Sequence, residues 1–493
     1  MRILFAASEA VPFAKTGGLA DVAGSLPPAL ASLGHDITVV LPRYRQVDVA
    51  RYKLKPVSSF FVPLGAWQER CDVLKGASSG GVTVYFISKD IYFDRPELYG
   101  TGRADYPDNA ERFIFFSRAV LELCIALDLR PEIIHCNDWQ TGLVPLYLEQ
   151  SYRKSESLRR TRSIFTIHNL GYQGLFRRED MHLTGLDGEV FTPEGLEFWG
   201  KMNFLKAGLV YADLITTVSK TYSREIQTPE YGSGLDGVLR NRSTDLSGIL
   251  NGIDYSDWDP SRDHAIPQAY SASRLSGKTV CRKKLLARLG MPESDAPVVG
   301  MVTRLVDQKG LDIVTEALPE IIALGIQLVI LGTGEDKYHR ILSDAASRYP
   351  GRMRVLLQYN DGLAKTIYAG CDLFLMPSQY EPCGLGQMIA LRYGTVPLVR
   401  KTGGLADTVV DYSVKTGRGT GFVFEKYAAP ALIDCFQRAL KVFSNKKKWK
   451  LLMQSGMKQD LSWMRSAKEY EKVYRKAMRK KWGNKGHWTS GKL

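Results

Sequence analysis

The chain has 493 residues, of which 44% are hydrophobic and 24% charged, and its formal net charge is +14. This length exceeds the size at which a single hydrophobic core stops growing, so we predict two domains. The composition is that of a globular protein, and the absence of any apolar run long enough to cross a bilayer argues against a membrane protein. The seven cysteines lack the paired spacing of zinc or dithiol sites, so we expect neither structural metal nor disulfides.

The first predicted element is a buried strand within MRILFAASEAVPF, at residues 1–13. A single arginine, a short apolar run and an early glutamate fit a strand better than a signal peptide. We therefore expect an intracellular, cytoplasmic protein.

Apolar, β-branched runs then alternate with amphipathic stretches, which is the pattern of β-α-β units around parallel sheets. The strands predicted in the first half are RILFAAS (2–8), DITVVLP (36–42), VTVYFIS (82–88), IIHCN (133–137), SIFTIHN (163–169) and LITTVS (214–219). The helices predicted between them include 110–127 and 196–212.

The second half restarts the same alternation, which predicts a second Rossmann-like sheet. Its predicted strands are PVVGMVT (297–303), QLVILGTG (327–334), RVLLQ (354–358), DLFLMPS (372–378) and TVPLVR (395–400). Residues 251–273 are rich in Asp, Pro and Ser and follow neither period, so we interpret them as a linker, with the boundary near Asp254. The predicted domains are 1–250 and 251–455, followed by a helical segment, 456–493, that could pack on either domain.

The heptapeptide KTGGLAD occurs twice, at residues 15–21 and 401–407. Each copy follows an apolar strand and precedes a helix, so its glycines and the unpaired helix amides could approach an anion such as phosphate. A tight strand-to-helix turn is the alternative. Because ligands bind beyond the carboxyl ends of the strands in open α/β sheets, two facing sheets would place one phosphorylated ligand between them.

Polar side chains follow two strands of the first half. His168 and Asn169 end one strand, and Asn137 and Asp138 end its neighbour, at the sheet edge where ligands bind. A satisfied structural histidine and a helix-capping aspartate are the alternatives.

In the second half, Arg304 and Lys309 follow the first strand, where two cations could hold a diphosphate and neutralise the charge that develops as its bond to carbon breaks. Two exposed basic residues in a loop are the alternative.

In PSQYEPCGLGQ, residues 377–387, Glu381 leaves a buried strand just before Gly384 and Gly386 open a helix. Its carboxylate could accept hydrogen bonds from hydroxyls or stabilise a developing cation, with capping as the alternative. At Cys383 we expect the backbone to matter more than the thiol.

Six motifs in order, at residues 15–22, 168–174, 250–260, 303–310, 377–387 and 400–409, resemble those of the glycogen and starch synthases that use ADP-glucose, glycosyltransferase family 5. The resemblance covers nearly the whole chain. It implies the GT-B fold, in which two Rossmann-like α/β domains face each other across a deep cleft. It also implies retaining transfer of glucose from ADP-glucose to the non-reducing-end 4-hydroxyl of an α-1,4-glucan such as glycogen, without metal or cofactor.

By position, the resemblance assigns the donor diphosphate to Lys15, the amides of Gly17 and Gly18, Arg304 and Lys309. It places Glu381 at the transferred glucose, alongside the backbone of Cys383, Gly384, Leu385 and Gly386. It sets His168 near the sugar 6-hydroxyl and the reacting carbon. Tyr359 is assigned to adenine, and the remaining assignments near the ligand are Asp138, Asn169, Asn251, Asp21 and Tyr99.

Two positions depart from related transferases. Ile389 stands where many retaining GT-B enzymes have a second glutamate, and Gly386 stands where some have threonine. Ribose recognition must then come from elsewhere, and only the Gly386 amide remains for a phosphate.

Other interpretations stay open: another retaining GT-B transferase, a nucleotide-sugar epimerase, or a catalytically silent nucleotide- or glucan-binding protein. The net charge also raises nucleic-acid binding. Much of that charge lies in NKKKWK (445–450) and YRKAMRKKWGNKGHW (474–488), which fit solvated helix faces, and no RRM or zinc-finger pattern is present. We therefore expect no nucleic-acid partner.

Overall fold

A computed structural model describes residues 1–102 and 104–480 of the chain. The chain divides into two compact units. Among the described residues, unit 1 comprises Met1–Val218, Ser223–Ile249 and residues 463–480, and unit 2 comprises Ser219–Tyr222 and Leu250–Ser462.

Unit 1 is built on a nine-stranded sheet and a small three-stranded one. Its strands are β1 (Arg2–Ala6), β2 (Asp36–Pro42), β3 (Lys55–Leu64), β4 (Trp67–Ala77), β5 (Thr83–Ser88), β6 (Ile133–Asn137), β7 (Arg162–Ile167), β8 (Leu175–Arg177), β9 (Glu197–Phe198), β10 (Lys201–Asn203), β11 (Leu214–Thr217) and β12 (Leu246–Gly248). The large sheet has the order β12-β11-β7-β6-β1-β2-β5-β4-β3, and the small one β8-β10-β9. All neighbours from β12 to β5 run parallel, whereas β4 is antiparallel to both β5 and β3.

The helices of unit 1 cover the faces of the large sheet, whose central strands are buried except at Arg2, the first residue of β1. The first seven helices of the chain are α1 (Gly18–Ala31), α2 (Asp90–Phe93), α3 (Asn109–Ala126), α4 (Leu143–Tyr147), α5 (Phe204–Tyr211), α6 (Lys220–Glu225) and α7 (Asp236–Asn241). Strands buried on both faces read as continuous apolar runs, which explains why the sequence revealed them.

Unit 1 contains six strands that the sequence did not predict, namely β3, β4, β8, β9, β10 and β12. The hairpin of β3 and β4 was not predicted, because it alternates exposed and buried residues and carries polar side chains throughout. The helix predicted over 196–212 was wrong in its first half, where β9 and β10 form a hairpin, and right in its second half, where α5 lies. Trp199 and Gly200 interrupt the helix there because both have positive φ.

Unit 2 contains the second parallel sheet. Its strands are β13 (Val298–Val302), β14 (Gln327–Leu331), β15 (Met353–Leu356), β16 (Leu373–Met376), β17 (Val396–Arg400) and β18 (Phe422–Phe424), in the order β15-β14-β13-β16-β17-β18. Its helices are α8 (Ser276–Arg288), α9 (Leu311–Ala323), α10 (Asp336–Arg348), α11 (Asp361–Gly370), α12 (Gly386–Arg392), α13 (Gly403–Thr408), α14 (Ala429–Phe443) and α15 (Lys446–Met457). The parallel strands of the two large sheets confirm the prediction of two Rossmann-like domains.

The last helix of the described residues, α16 (Trp463–Arg479), belongs to unit 1 and packs against α1 and β7. Its Tyr474 hydroxyl lies 2.9 Å from Nδ1 of the buried His135 on β6. Just after the helix, Lys480 pairs with Asp245 at 2.7 Å. The rest of the basic C-terminal segment, from residue 481, lies outside the described residues.

Each sheet has one point at which the strand order reverses. In unit 1 the chain leaves β1 toward β2 on one side and returns to β6 on the other, and in unit 2 β13 is flanked in the same way by β14 and β16. Ligands of open α/β sheets bind beyond the strand carboxyl ends at such points. Ligand-binding residues are therefore expected in the segments that follow β1 and β6 in unit 1, and β13 and β16 in unit 2.

Candidate active site

A buried carboxylate, Glu9, organises the loop after β1. It is 4% exposed, and its oxygens accept hydrogen bonds from the Thr16 amide at 2.5 Å, the Thr16 hydroxyl at 2.7 Å and the Gly17 amide at 3.2 Å. The Tyr99 hydroxyl donates to Glu9 at 2.9 Å and lies 2.7 Å from the Ser8 hydroxyl. Glu9 thus fixes the shape of the first KTGG loop. This role of Glu9 was not predicted from the sequence, since a single glutamate after a strand carries no distinguishing pattern.

The first KTGG loop leaves room above its glycines. Apart from the adjacent residues and the backbone of α1 itself, no described atom lies within 4 Å of where a Cβ would stand on Gly17 or Gly18. Lys15 pairs with Asp21 at 2.8 Å, with the two side chains 41% and 29% exposed. Because α1 begins at Gly18, the open space adjoins the start of a 14-residue helix.

His168 is held in one tautomer by Asn137. The Asn137 side-chain amide donates to the Ala6 carbonyl at 3.0 Å, so its Oδ1 is the atom that lies 2.9 Å from His168 Nε2. Nε2 therefore carries the proton, and Nδ1 is the ring's acceptor nitrogen. Burial lowers the pKa of His168 to about 3, so the ring is neutral at pH 7.

Asp138 follows β6 with a strained backbone, at a φ of +56°. Its Oδ1 accepts the His168 amide at 2.7 Å. Burial raises the pKa of Asp138 to about 7 against the opposing effect of amides donated by His168 and Asn169, and the nearby charge of Glu9 adds to the rise. Asn169 turns its own Oδ1 to the Gly171 amide at 3.0 Å. The strand ends of β6 and β7 thus bring His168, Asn169 and Asp138 together.

In unit 2, Lys309 and Glu381 form a largely buried ion pair. Lys309 Nζ lies 2.7 Å from Glu381 Oε2, and the side chains are 15% and 8% exposed. The Ser378 hydroxyl donates to the same oxygen at 2.9 Å. Among the described residues Oε1 of Glu381 has no hydrogen-bond partner, so it retains its capacity to accept.

The position of Lys309 follows from how its turn docks on the segment after β16. The 3-10 turn Asp307–Lys309 ends at Gly310, which has a φ of +73° and approaches so closely that a Cβ would stand 2.2 Å from the Pro377 carbonyl oxygen. Gln308 accepts the Gln379 amide on its carbonyl at 2.9 Å and donates its side chain to the Tyr380 carbonyl at 3.2 Å. The glycine and the glutamine together hold Lys309 beside Glu381.

The second KTGG copy serves a different purpose from the first. A Cβ on Gly403 would stand 1.9 Å from the Glu381 carbonyl oxygen, and one on Gly404 would stand 2.0 Å from that of Cys383. The Gly404 amide donates to the Glu381 carbonyl at 3.0 Å. The glycines of the second copy therefore pack against the backbone of the 381–384 turn, as in the alternative of a tight strand-to-helix turn.

The turn after Glu381 is fixed by Gln387, whose amide donates to the carbonyls of Cys383 at 3.0 Å and Gly384 at 2.8 Å. Gly384 needs its glycine for a φ of +73°. Burial raises the pKa of the Cys383 thiol to about 12, so the thiol stays protonated and is not a nucleophile at pH 7. Leu385 precedes α12, and a Cβ on Gly386 would stand 3.0 Å from the Phe374 ring.

Three further residues assigned by resemblance lie in unit 2 on loops. Arg304 is exposed just after β13, and Tyr359 is 71% exposed after β15. Asn251 is 7% exposed, and within residues 1–102 and 104–480 its buried Oδ1 has no hydrogen-bond partner. A buried polar atom in that state requires a ligand or water.

No cluster of three or more His, Cys, Asp or Glu side chains that could hold a metal ion occurs in the described ranges. In the same part of the chain, no helix has the length and apolar character needed to span a bilayer.

Two family models match the chain: the starch synthase catalytic domain over residues 2–241 and the glycosyl transferases group 1 over residues 288–450. A glycogen synthase from Geotalea uraniireducens is 49% identical over 482 residues, which cover 98% of this chain and 100% of that protein. One from Anaeromyxobacter dehalogenans is 49% identical over 481 residues, 96% of this chain and 99% of that protein. The chain belongs to the glycogen and starch synthase family.

Solved structures agree with this family and with its GT-B fold. The catalytic domain of starch synthase IV from Arabidopsis thaliana, bound to ADP and acarbose, matches with a TM-score of 0.89 and 35% identity over 97% of this chain and 99% of that chain. Sucrose-phosphate synthase from Thermosynechococcus elongatus, 18% identical with a TM-score of 0.61 over 96% and 98% of the two chains, shares the fold. As a glycosyltransferase of this family, the chain uses a nucleotide-sugar donor and a glucan acceptor.

Proposed function

We propose that this member of the glycogen and starch synthase family transfers glucose from ADP-glucose to the non-reducing-end 4-hydroxyl of an α-1,4-glucan, glycogen in particular, with retention at the anomeric carbon. The observation that carries the assignment of the site is the buried Lys309–Glu381 pair at the point of strand reversal in unit 2. It combines a cation for a phosphate and a carboxylate for a sugar in one fixed arrangement.

The donor diphosphate is bound by cations and backbone amides. Lys309 and the exposed Arg304 supply the charge from unit 2, and Lys15 with the amides around Gly17 and Gly18 supplies it from unit 1. These groups stabilise the negative charge that develops on ADP as the bond to glucose breaks. Their charge is in place before the reaction, so we infer that no metal ion is required.

The transferred glucose is bound by groups that form hydrogen bonds with its hydroxyls. Glu381 has Oε1 available to accept a sugar hydroxyl while Oε2 is occupied by Lys309 and Ser378. The buried Oδ1 of Asn251 supplies a second acceptor in the same unit. The backbone of the turn from Cys383 to Gly386 completes the wall of the sugar site.

From unit 1, His168 presents Nδ1 as an acceptor for the sugar 6-hydroxyl near the reacting carbon. Its Nε2 proton is donated to Asn137, so the ring orients a hydroxyl and transfers no proton at pH 7.

Asp138 and Asn169, fixed beside His168, contact glucose or phosphate. Tyr99 and Asp21 act on the loop of Lys15, the former through Glu9 and the latter through the ion pair.

Chemically, the bond between the anomeric carbon and the phosphate oxygen breaks first, and its electron pair stays on ADP. The acceptor 4-hydroxyl attacks the same face, and its proton passes to the departing phosphate oxygen. Glu381 stabilises the positive charge on the sugar without forming a covalent bond.

Tyr359, 71% exposed, stacks on the adenine and thereby contributes to donor choice.

The test is the incorporation of radiolabelled glucose into glycogen from ADP-glucose and, in parallel, from UDP-glucose. We expect α-1,4-linked glucose from ADP-glucose at a rate well above that from UDP-glucose, and an α-anomeric signal in the proton NMR spectrum of an elongated oligosaccharide. Incorporation from neither donor, or a β-linked product, would overturn the proposal. Salt-dependent binding of a nucleic-acid duplex, measured on the same preparation, is expected to be absent.

A further inference from the structure

The β9–β10 hairpin of unit 1 carries an unusual residue at its tip. Lys201 pairs with Phe198, so the loop consists of Trp199 and Gly200 alone. Their φ angles are +52° and +77°, which identifies a type I′ turn. This turn favours Asn-Gly or Gly-Gly, because most side chains are strained at positive φ. A tryptophan at its first position is among the least suited residues for the fold.

Trp199 also gains little from packing. It is 85% exposed, the highest value among the large hydrophobic side chains of the described residues. A residue with a strained backbone and a solvent-exposed aromatic ring contributes little to the stability of the fold. Backbone strain at an exposed side chain points to a role in binding.

The tip is nevertheless rigidly supported. Glu197 accepts the Gly200 amide on its side chain at 2.6 Å, and Lys206 donates to the Glu197 carbonyl at 2.5 Å. Beneath the hairpin, Gly234 packs so closely that a Cβ would stand 2.8 Å from the Phe198 ring. The backbone that carries the indole is therefore rigid, which reduces the entropy lost when a ligand stacks on the ring.

The hairpin and the loop beneath it are hydrogen-bonded to the HNLGYQG segment, residues 168–174. The Gln173 side chain donates to the Ser233 carbonyl at 3.0 Å and accepts from Asn203 on β10 at 2.6 Å. Tyr172, the residue before Gln173, is 54% exposed. The segment that bears His168 thus holds the same loop on which Trp199 rests.

We propose that Trp199 is a glucan-binding platform that holds the acceptor by stacking on a glucose ring. A pyranose presents a face of C–H groups that buries apolar area on an indole, while its hydroxyls remain in water. The flanking charges, Glu197 and Lys201, have opposite signs, so the hairpin offers no net charge to attract a polyanion. The inference rests on the glucan acceptor of the proposed function.

The informative variant is Trp199→Asn, because asparagine is favoured at this turn position. We expect its thermal unfolding temperature to equal or exceed that of the parent protein, while its dissociation constant for glycogen, from retardation in native gels containing glycogen, rises about tenfold as the buried apolar face is lost. The KM for glycogen should rise in parallel and the KM for ADP-glucose should not. Trp67→Thr, which removes a 41% exposed tryptophan from β4, is the matched control and should bind glycogen as the parent does.

Unchanged glycogen retardation by Trp199→Asn overturns the proposal, and so does a change in oligomeric mass by light scattering without a change in retardation, which would assign Trp199 to a protein interface. Retardation needs no catalysis, so it separates this inference from the proposed function. If no glucose is transferred but Trp199→Asn weakens glycogen binding, the proposed reaction is contradicted and the role of Trp199 in glucan binding is supported. If glucose is transferred and the variant binds glycogen normally, only the role of Trp199 is contradicted.

Discussion

Lys309 Nζ lies 2.7 Å from Glu381 Oε2, although 72 positions separate the two residues in the chain. The pair joins the turn after β13 to the segment after β16, and it is largely buried. In unit 1, Lys15 makes the equivalent contact with Asp21 at 2.8 Å, but that pair is far more exposed. Each lysine proposed to bind the donor phosphates therefore rests on a carboxylate, and the buried pair is the more strongly coupled of the two.

Replacing Lys309 with alanine removes a fixed cation from the proposed phosphate site. We expect kcat with ADP-glucose to fall by about 100-fold, as for other preorganised electrostatic groups. Glycogen retardation in native gels should be unchanged. Initial rates at saturating ADP-glucose and glycogen measure the effect, and a kcat within threefold of the parent would contradict it.

The same substitution leaves Glu381 buried without its counter-charge, so it also lowers stability. The double variant Lys309→Met with Glu381→Gln should recover the thermal unfolding temperature but not the activity, which separates catalysis from folding. Lys337→Ala is the matched control, since Lys337 is 44% exposed and pairs with Asp307 at 2.6 Å. It should change neither property appreciably.

The sequence revealed the parallel strands of both large sheets, apart from the three-residue edge strands β12 and β18, because the predicted strands are largely buried and consist of apolar runs. It did not reveal the β3–β4 hairpin, whose half-exposed strands lack such runs, or the β9–β10 hairpin, whose turn uses Trp-Gly instead of Asn-Gly. The partner of Lys309 was also beyond its reach, because only the strand order brings residue 381 beside residue 309. Glu9 was missed because a single glutamate after a strand carries no distinguishing pattern.

The two KTGGLAD copies predict opposite results for one substitution. Gly18→Ala adds a methyl group into open space at the start of α1, so we expect folding to be unaffected and the KM for ADP-glucose to rise. Gly404→Ala forces its Cβ to within 2.0 Å of the Cys383 carbonyl oxygen, so it should destabilise unit 2. Thermal unfolding and donor kinetics on both variants provide the comparison. Equal destabilisation by the two substitutions would contradict it.

Asp138 gives a pH-dependent contribution to stability. Its pKa of about 7 exceeds the ordinary value of 3.8, so between about pH 4 and 7 the native state retains a proton that the unfolded chain has lost. Stability from this group therefore falls as pH rises through that window. Asp138→Asn keeps an acceptor for the His168 amide and tolerates positive φ.

We expect the gain in unfolding temperature of Asp138→Asn over the parent to be small at pH 4 and largest at pH 8, while activity decreases. Calorimetry at several pH values measures this difference. A gain that is independent of pH, or one that is largest at low pH, would show that the carboxyl group is not held protonated by its surroundings.

His168 is neutral throughout the working range because its pKa is lowered to about 3. His168→Gln should therefore lower kcat without altering the shape of the pH–rate profile above pH 5, since neither side chain titrates there. Rates from pH 5 to 9 on both proteins test this expectation. A break near pH 6 to 7 in the parent that disappears in the variant would assign the titration to His168 and contradict a pKa lowered to about 3.

The most direct measurement of the site is a crystal structure of the full chain with ADP. We predict that the diphosphate oxygens lie within hydrogen-bond distance of Lys309 and Arg304, that Lys15 or the Gly17–Gly18 amides approach the same diphosphate, and that adenine lies against Tyr359. A diphosphate bound elsewhere, for example at the second KTGG copy around Gly403, with Lys309 still paired to Glu381 and remote from it, would contradict the account.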